Sequence, residues 1–127
     1  MEGSGARVVP ILDTETDEVT LNKLLRLNGV LFPGGAGDDQ YKAKAEFIYK
    51  QAVEFNDKDI YFPLFGICQG FEYLNIFASD AGDQVLSQLE SHHVSISLDF
   101  KVDPATTKMF KGSGEDAKLY ETADSSF

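Results

Sequence analysis

Short apolar, β-branched runs alternate along this chain with longer stretches of helical spacing, and the runs are apolar throughout rather than at every second residue. A strand with no polar face must be covered on both sides. Strands of that kind alternating with helices predict a parallel sheet in an α/β fold, with helices on both faces. The first run, Arg7-Val8-Val9-Pro10-Ile11-Leu12, is closed by Asp13 and reads as a buried strand. Apolar residues at 21, 24, 25 and 27 predict a short amphipathic helix, with Asp17 as its cap. Gly29-Val30-Leu31-Phe32 predicts a second strand, stopped by Pro33-Gly34-Gly35. Tyr41, Ala45, Ile48, Tyr49, Ala52 and Val53 share one face of a helix over residues 40–56. A third apolar run, residues 60–67, leads into Cys68, and helical spacing resumes at Phe71, Leu74, Ile76 and Phe77 until Ala81-Gly82-Asp83 breaks it. Val94-Ser95-Ile96-Ser97-Leu98 alternates with period two and predicts a half-exposed strand. From Lys101 the pattern weakens, and Asp124-Ser125-Ser126-Phe127 resembles a frayed end.

The chain has 127 residues, enough for one domain rather than two. Hydrophobic residues at 43% and charged residues at 25% argue against disorder. Asp and Glu number 21 against 11 Lys and Arg, a formal charge of −10 that repels phosphate backbones and anionic lipid. Neither nucleic acid nor a membrane is therefore expected as a partner. No apolar run approaches the ~20 residues of a membrane span. Residues 1–5 carry neither the basic nor the apolar segment of a signal peptide, so a chain complete as it stands is expected to remain in the cytosol. The single cysteine excludes an intrachain disulfide. One Cys and two adjacent His lack the ligand spacing of a zinc site. Gly34-Gly35-Ala36-Gly37 lacks the Lys-Ser/Thr of a phosphate-binding loop. No metal or cofactor is expected.

Ligands of open parallel sheets bind outside the carboxyl ends of the strands. Two of the predicted strands end in Pro33-Gly34-Gly35 and in Gly66-Ile67-Cys68, so both loops are expected on one edge of the sheet. Gly66-Ile67-Cys68-Gln69-Gly70 has the form G-x-nucleophile-x-G between a strand and a helix. The two glycines allow a sharp turn with the middle residue strained at its tip. Such a turn lifts the sulfur clear of the backbone. It also sets a helix N-terminus behind the sulfur, where negative charge is favoured, and aims the Gln69 N–H at a forming oxyanion. A second donor is expected from the Gly34-Gly35 loop. The competing reading is a buried cysteine acting as a small hydrophobe. The flanking glycines, the preceding strand and the following helix weigh against it.

Gly29-Val30-Leu31-Phe32-Pro33-Gly34-Gly35, together with Tyr61-Phe62-Pro63-Leu64-Phe65-Gly66-Ile67-Cys68-Gln69-Gly70-Phe71-Glu72, resembles gamma-glutamyl hydrolase, a family of the class I glutamine amidotransferase-like fold (flavodoxin-like parallel sheet). Ser4-Gly5-Ala6-Arg7-Val8-Val9-Pro10 resembles it too. The similarity runs over residues 4–110, is weak after Ser79, and leaves 111–127 as a poorly determined tail of one partial domain. Pro-Gly-Gly plus G-x-C-x-G alone would mark only the broader amidotransferase group. The Tyr-Phe-Pro lead-in and the Phe71-Glu72 that follows favour the hydrolase. The resemblance implies cleavage of γ-linked glutamyl peptides, folate polyglutamates among them, through a Cys68 acyl-enzyme. Gln69 and Gly35, with Gly34 beside it, would form the oxyanion hole. Glu72 is either a site residue or a first-turn acid favoured by the helix dipole. A full-length relative would by the same resemblance be lysosomal, vacuolar or secreted.

The family's base is a histidine in a Trp-His-Pro-Glu-like motif downstream. This chain has no Trp, and its two histidines, His92 and His93, are followed by no Pro. They read as exposed residues at a strand start. The family's opening strand and helix are missing as well, so the chain matches a middle section of the family. Three explanations stand: a truncated hydrolase, which is favoured because the missing parts are contiguous; a catalytically dead relative acting as a binding module; or another amidotransferase-like protein whose base comes from a partner. Sheet edges left open by missing strands invite pairing into a homo-oligomer.

Overall fold

The computed structural model describes residues 1–88 and 99–111. The chain divides into two compact units, Met1–Ser87 and Gln88–Phe127. The first contains helix α1 (Asp17–Leu24), strand β1 (Val30–Phe32), helix α2 (Asp39–Asp57), strand β2 (Leu64–Gly66) and helix α3 (Gln69–Ala78). The two strands are parallel, in the register Val30↔Leu64, Leu31↔Phe65 and Phe32↔Gly66. The α/β class expected from the sequence is thus present as a β1-α2-β2 unit, since parallel neighbours need a crossover of this kind.

Local chemistry explains the element boundaries. Thr16 caps α1, its Oγ1 accepting from Val19 N–H at 3.3 Å. The cap is therefore Thr16 and not Asp17: Thr16 has extended backbone, whereas Asp17 is already the first helical residue. Asp38 caps α2 by accepting from the amides of Gln40 and Tyr41, each at 3.1 Å. At the far end of α2, Asp59 turns left-handed at φ 60° and Ile60 N–H reaches back to Phe55 O at 2.9 Å, which stops the helix. Asn56 then guides the chain into β2. Its side chain donates to Phe62 O at 2.9 Å and accepts from Phe62 N–H at 3.2 Å.

The core is one cluster of Leu24, Phe32, Ala45, Ile48, Ala52, Phe62 and Tyr73, to which all three helices and β1 contribute. Phe32 and Val30 point into it, and Leu31 points to the opposite face, as strand geometry requires. Phe65 is also outside it, 46% exposed. Among the described residues the helices thus pack on one face of the sheet. Lys44 is the charged member of this interior. Its Nζ donates to Glu15 O at 2.8 Å and to Asp17 Oδ1 at 2.6 Å, tying α2 to the start of α1.

Two strand expectations need correction. Residues 7–12 form no strand, and Val8, Val9 and Leu12 are 46–55% exposed. Pro10 has no N–H to give to a ladder, and no described strand pairs with this segment. Residues 60–67 narrow to Leu64–Gly66, because Ile60 and Tyr61 are exposed in the link after α2. The predicted strand at residues 94–98 lies outside the described residues. In the second unit the described residues 99–111 include a turn at Pro104–Thr106 capped by Asp103 and an edge-on pair of rings, Phe100 and Phe110, 5.1 Å apart.

Candidate active site

Strand β2 ends at Gly66 and α3 begins at Gln69, so Cys68 occupies the turn between them, as the glycine spacing predicts. Its backbone sits at φ 52°, ψ −120°, a region that costs a side-chain-bearing residue of order 1–3 kcal/mol. Cys68 is free and exposed.

The flanking glycines serve the turn through space rather than through φ. Neither Gly66 nor Gly70 has positive φ. A methyl group on Gly66 would lie 2.6 Å from the backbone of Gly70 and Phe71, and one on Gly70 would lie 2.3 Å from Phe32 O. The turn closes because β2 and β1 each touch the first turn of α3 at a residue with no side chain. Ile67 N–H donates to Phe32 O at 3.0 Å and completes the seam.

The parallel register sends both loops off the same end of the sheet, and they meet. A methyl on Gly34 would stand 2.8 Å from Cys68 Cβ and 3.6 Å from Cys68 Sγ. Gly35, at φ 146°, has open space around it. Among the described residues no acceptor takes the amides of Gly34, Gly35 or Gln69. Residues 34–37 and Gln69 also line an open cleft of about 540 Å³, together with Ile11, Leu12 and Asp13. Glu72 is exposed in the first turn of α3. His92 and His93 lie outside the described residues, and none of the described residues is a histidine.

Side chains that sequence reading did not single out brace this edge. Gln69 Oε1 accepts from Gly37 N–H at 2.7 Å, and its Nε2 donates to Gly37 O at 3.2 Å and to Tyr73 OH at 3.0 Å. Tyr41 OH donates to Pro33 O at 2.9 Å, and its ring meets that of Tyr73 edge-on at 5.3 Å. Desolvation raises the pKa of both tyrosines above the usual phenol range, so both hydroxyls are neutral at physiological pH, Tyr41 donating to Pro33 O and Tyr73 accepting from Gln69. Their helical positions signal only packing. The bonds they make depend on which loop the fold brings opposite.

No family model matches the chain. Curated relatives do: gamma-glutamyl hydrolase 1 of Arabidopsis thaliana is 39% identical over 100 residues, 78% of this chain and 28% of the relative. The gamma-glutamyl hydrolase of Homo sapiens is 37% identical over 116 residues, 87% of this chain and 35% of the relative. That of Bos taurus is 33% identical over 124 residues, 94% of this chain and 38% of the relative. The chain is gamma-glutamyl hydrolase-like. It spans about a third of the length of these relatives, 28–38%. The stretch resembling gamma-glutamyl hydrolase is thus the one that holds the strained cysteine and the glycine loop against it. Among the described residues no helix is long and apolar enough to cross a membrane, and no group of His, Cys, Asp and Glu is arranged to hold a metal ion.

Proposed function

We propose that this chain carries the nucleophile and oxyanion hole of a cysteine hydrolase acting on γ-glutamyl bonds. The observation that carries the reading is Cys68 at φ 52° on a strand-to-helix turn with Gly34 packed against it. The Cys68 thiolate attacks the γ-carbonyl carbon. The negative charge that develops on the carbonyl oxygen is met by the N–H groups of Gln69 and Gly35. Collapse breaks the C–N bond, the leaving amine takes up a proton, and a γ-glutamyl thioester remains on Cys68. Water then hydrolyses the thioester to the γ-carboxylate and returns the thiol.

The base that takes the thiol proton, gives it to the amine and activates the water is supplied from outside the described residues. The substrate class is a γ-linked glutamyl peptide, in line with relatives that are gamma-glutamyl hydrolases; folate polyglutamate is the member of that class that the sequence resemblance implies. Glu72, on the exposed first turn beyond Cys68, supports the rim of the site.

The test is intact-mass detection of a γ-glutamyl adduct. The chain is incubated with a γ-glutamyl p-nitrophenyl ester, whose good leaving group needs no acid, beside a Cys68→Ala control. One adduct per chain, absent from the control, is expected. Binding with no adduct would instead favour a binding module that has lost its chemistry.

A further inference from the structure

We propose that the side chain of Gln69 is a positioning residue that holds the glycine arc, residues 34–37, against Cys68 and so sets the second oxyanion donor. The proposal rests on the hydrolase reading and adds to it a side chain to which that reading gives no part.

Gln69 uses its whole amide in this position. The oxygen takes Gly37 N–H at 2.7 Å, and the two N–H bonds go to Gly37 O at 3.2 Å and Tyr73 OH at 3.0 Å. A side-chain amide paired to both backbone groups of one residue fixes that peptide in two directions, as a ladder partner would. The other end of the arc is fixed by Tyr41, whose OH donates to Pro33 O at 2.9 Å. Between these anchors Gly34 is pressed on Cys68, and Gly35 and Ala36 are exposed.

Gly37 is boxed in as well, since a methyl there would stand 2.2 Å from the Tyr41 ring and 3.1 Å from Gln69 Oε1. Nothing else among the described hydrogen bonds ties residues 34–37 to the turn. One residue therefore carries both halves of the arrangement: its N–H is the first donor, and its side chain sets the loop that supplies the second.

The test compares the wild-type chain with Gln69→Met, which keeps length and helix preference but removes every bond. The first readout is amide exchange at Gly37. It is expected to quicken by about tenfold or more, with Ile67, bonded to Phe32 O, unchanged. The second pairs two reactions of the same sulfur. Acylation by the γ-glutamyl ester builds an oxyanion and is expected to slow by about 10²-fold, the scale for losing one such donor. Alkylation by iodoacetamide builds none and is expected to stay within about twofold. Gln69→Glu keeps an acceptor for Gly37 N–H and is expected to fall between the two in both exchange and acylation.

Unchanged exchange at Gly37, or equal loss of acylation and alkylation, would overturn the role of Gln69 while leaving the hydrolase reading intact. A wild-type chain that alkylates but never acylates would overturn both.

Discussion

Gly70→Ala separates two effects that usually act together in a glycine substitution. Gly70 lies in the first turn of α3 without positive φ, so backbone preference alone makes alanine the better residue by up to about 1 kcal/mol. The structure gives the opposite sign. The new methyl would stand 2.3 Å from Phe32 O, 2.6 Å from Phe32 Cβ and 2.7 Å from Phe32 C, and two of those three atoms are backbone. Relief requires α3 to lift from β1. Overpacking of this kind costs typically 1–3 kcal/mol, and a rigid backbone neighbour places it toward the upper end. Set against the helix gain, the expected net is a loss of about 2 kcal/mol. In a chain of this length that lowers Tm by roughly 8 °C.

Urea unfolding of wild type and variant measures it, with the slope checked for constancy. Lifting α3 also moves Cys68, so acylation by the γ-glutamyl ester should fall with stability. A Gly70→Ala chain as stable as wild type, or more so, would falsify the contact between the nucleophile helix and β1 on which the placement of the sulfur depends.

Four further outcomes are expected. Cys68→Gly should raise stability by about 1 kcal/mol in urea unfolding while abolishing the adduct, because glycine occupies φ 52° without the strain of a side chain; a destabilised variant would count against strain. Thr20 is fully buried and its Oγ1 has no hydrogen-bond partner among the described residues, so Thr20→Val should stabilise by about 1 kcal/mol, read as a raised urea midpoint. The hydrogen bond from Lys23 holds the Glu15 carboxyl below the usual glutamate range, so its contribution is present above that range and is lost as pH falls through the lowered value. The urea midpoints of wild type and Glu15→Gln should therefore differ at neutral pH and converge on acidification through and below about pH 4.3, and a constant gap would refute the pairing. Replacing His92 and His93 together by Ala should leave the pH profile of Cys68 alkylation unchanged, and a shifted profile would make one of them the base.

The turn was legible in the sequence because its determinants are local. Two glycines two residues either side of Cys68, an apolar run before and helical spacing after are all the chain needs to specify it. The meeting of Gly34 with Cys68 followed from one non-local step, that parallel strands release their loops at the same end. Where longer contacts decide, the reading stopped. Residues 7–12 have strand composition, but a strand needs a paired neighbour, and composition cannot supply one. Lys44 sits among apolar residues of α2, and nothing in its spacing announces a buried ammonium. It is held there by Glu15 O and Asp17 Oδ1, contributed by the distant start of α1. Gln69 was singled out for its N–H, which the turn places, and not for its amide, whose partner lies 32 residues away. Asp17 and Thr16 are both good caps by residue type, and only the backbone conformation of Thr16 decides between them.

Stability and reactivity are joined at this turn by contacts, not merely by proximity. Gly66 admits the first turn of α3, Gly70 admits β1, and Gly34 admits Cys68 itself, so three close approaches converge within a few residues of the sulfur. Each allows no side chain, and none can loosen without moving the sulfur relative to the amides proposed to serve it. The proton-transferring base is not part of these contacts, but it must reach the thiol as well as the leaving amine and the water. Acylation by an ester that needs no acid tests the turn together with thiolate formation, and turnover of a γ-glutamyl amide adds protonation of the amine and activation of the water. In the second assay a thioester that forms and persists would place the missing function in deacylation. A chain that turns over repeatedly, and loses that turnover with Cys68→Ala, would place a base within its own residues.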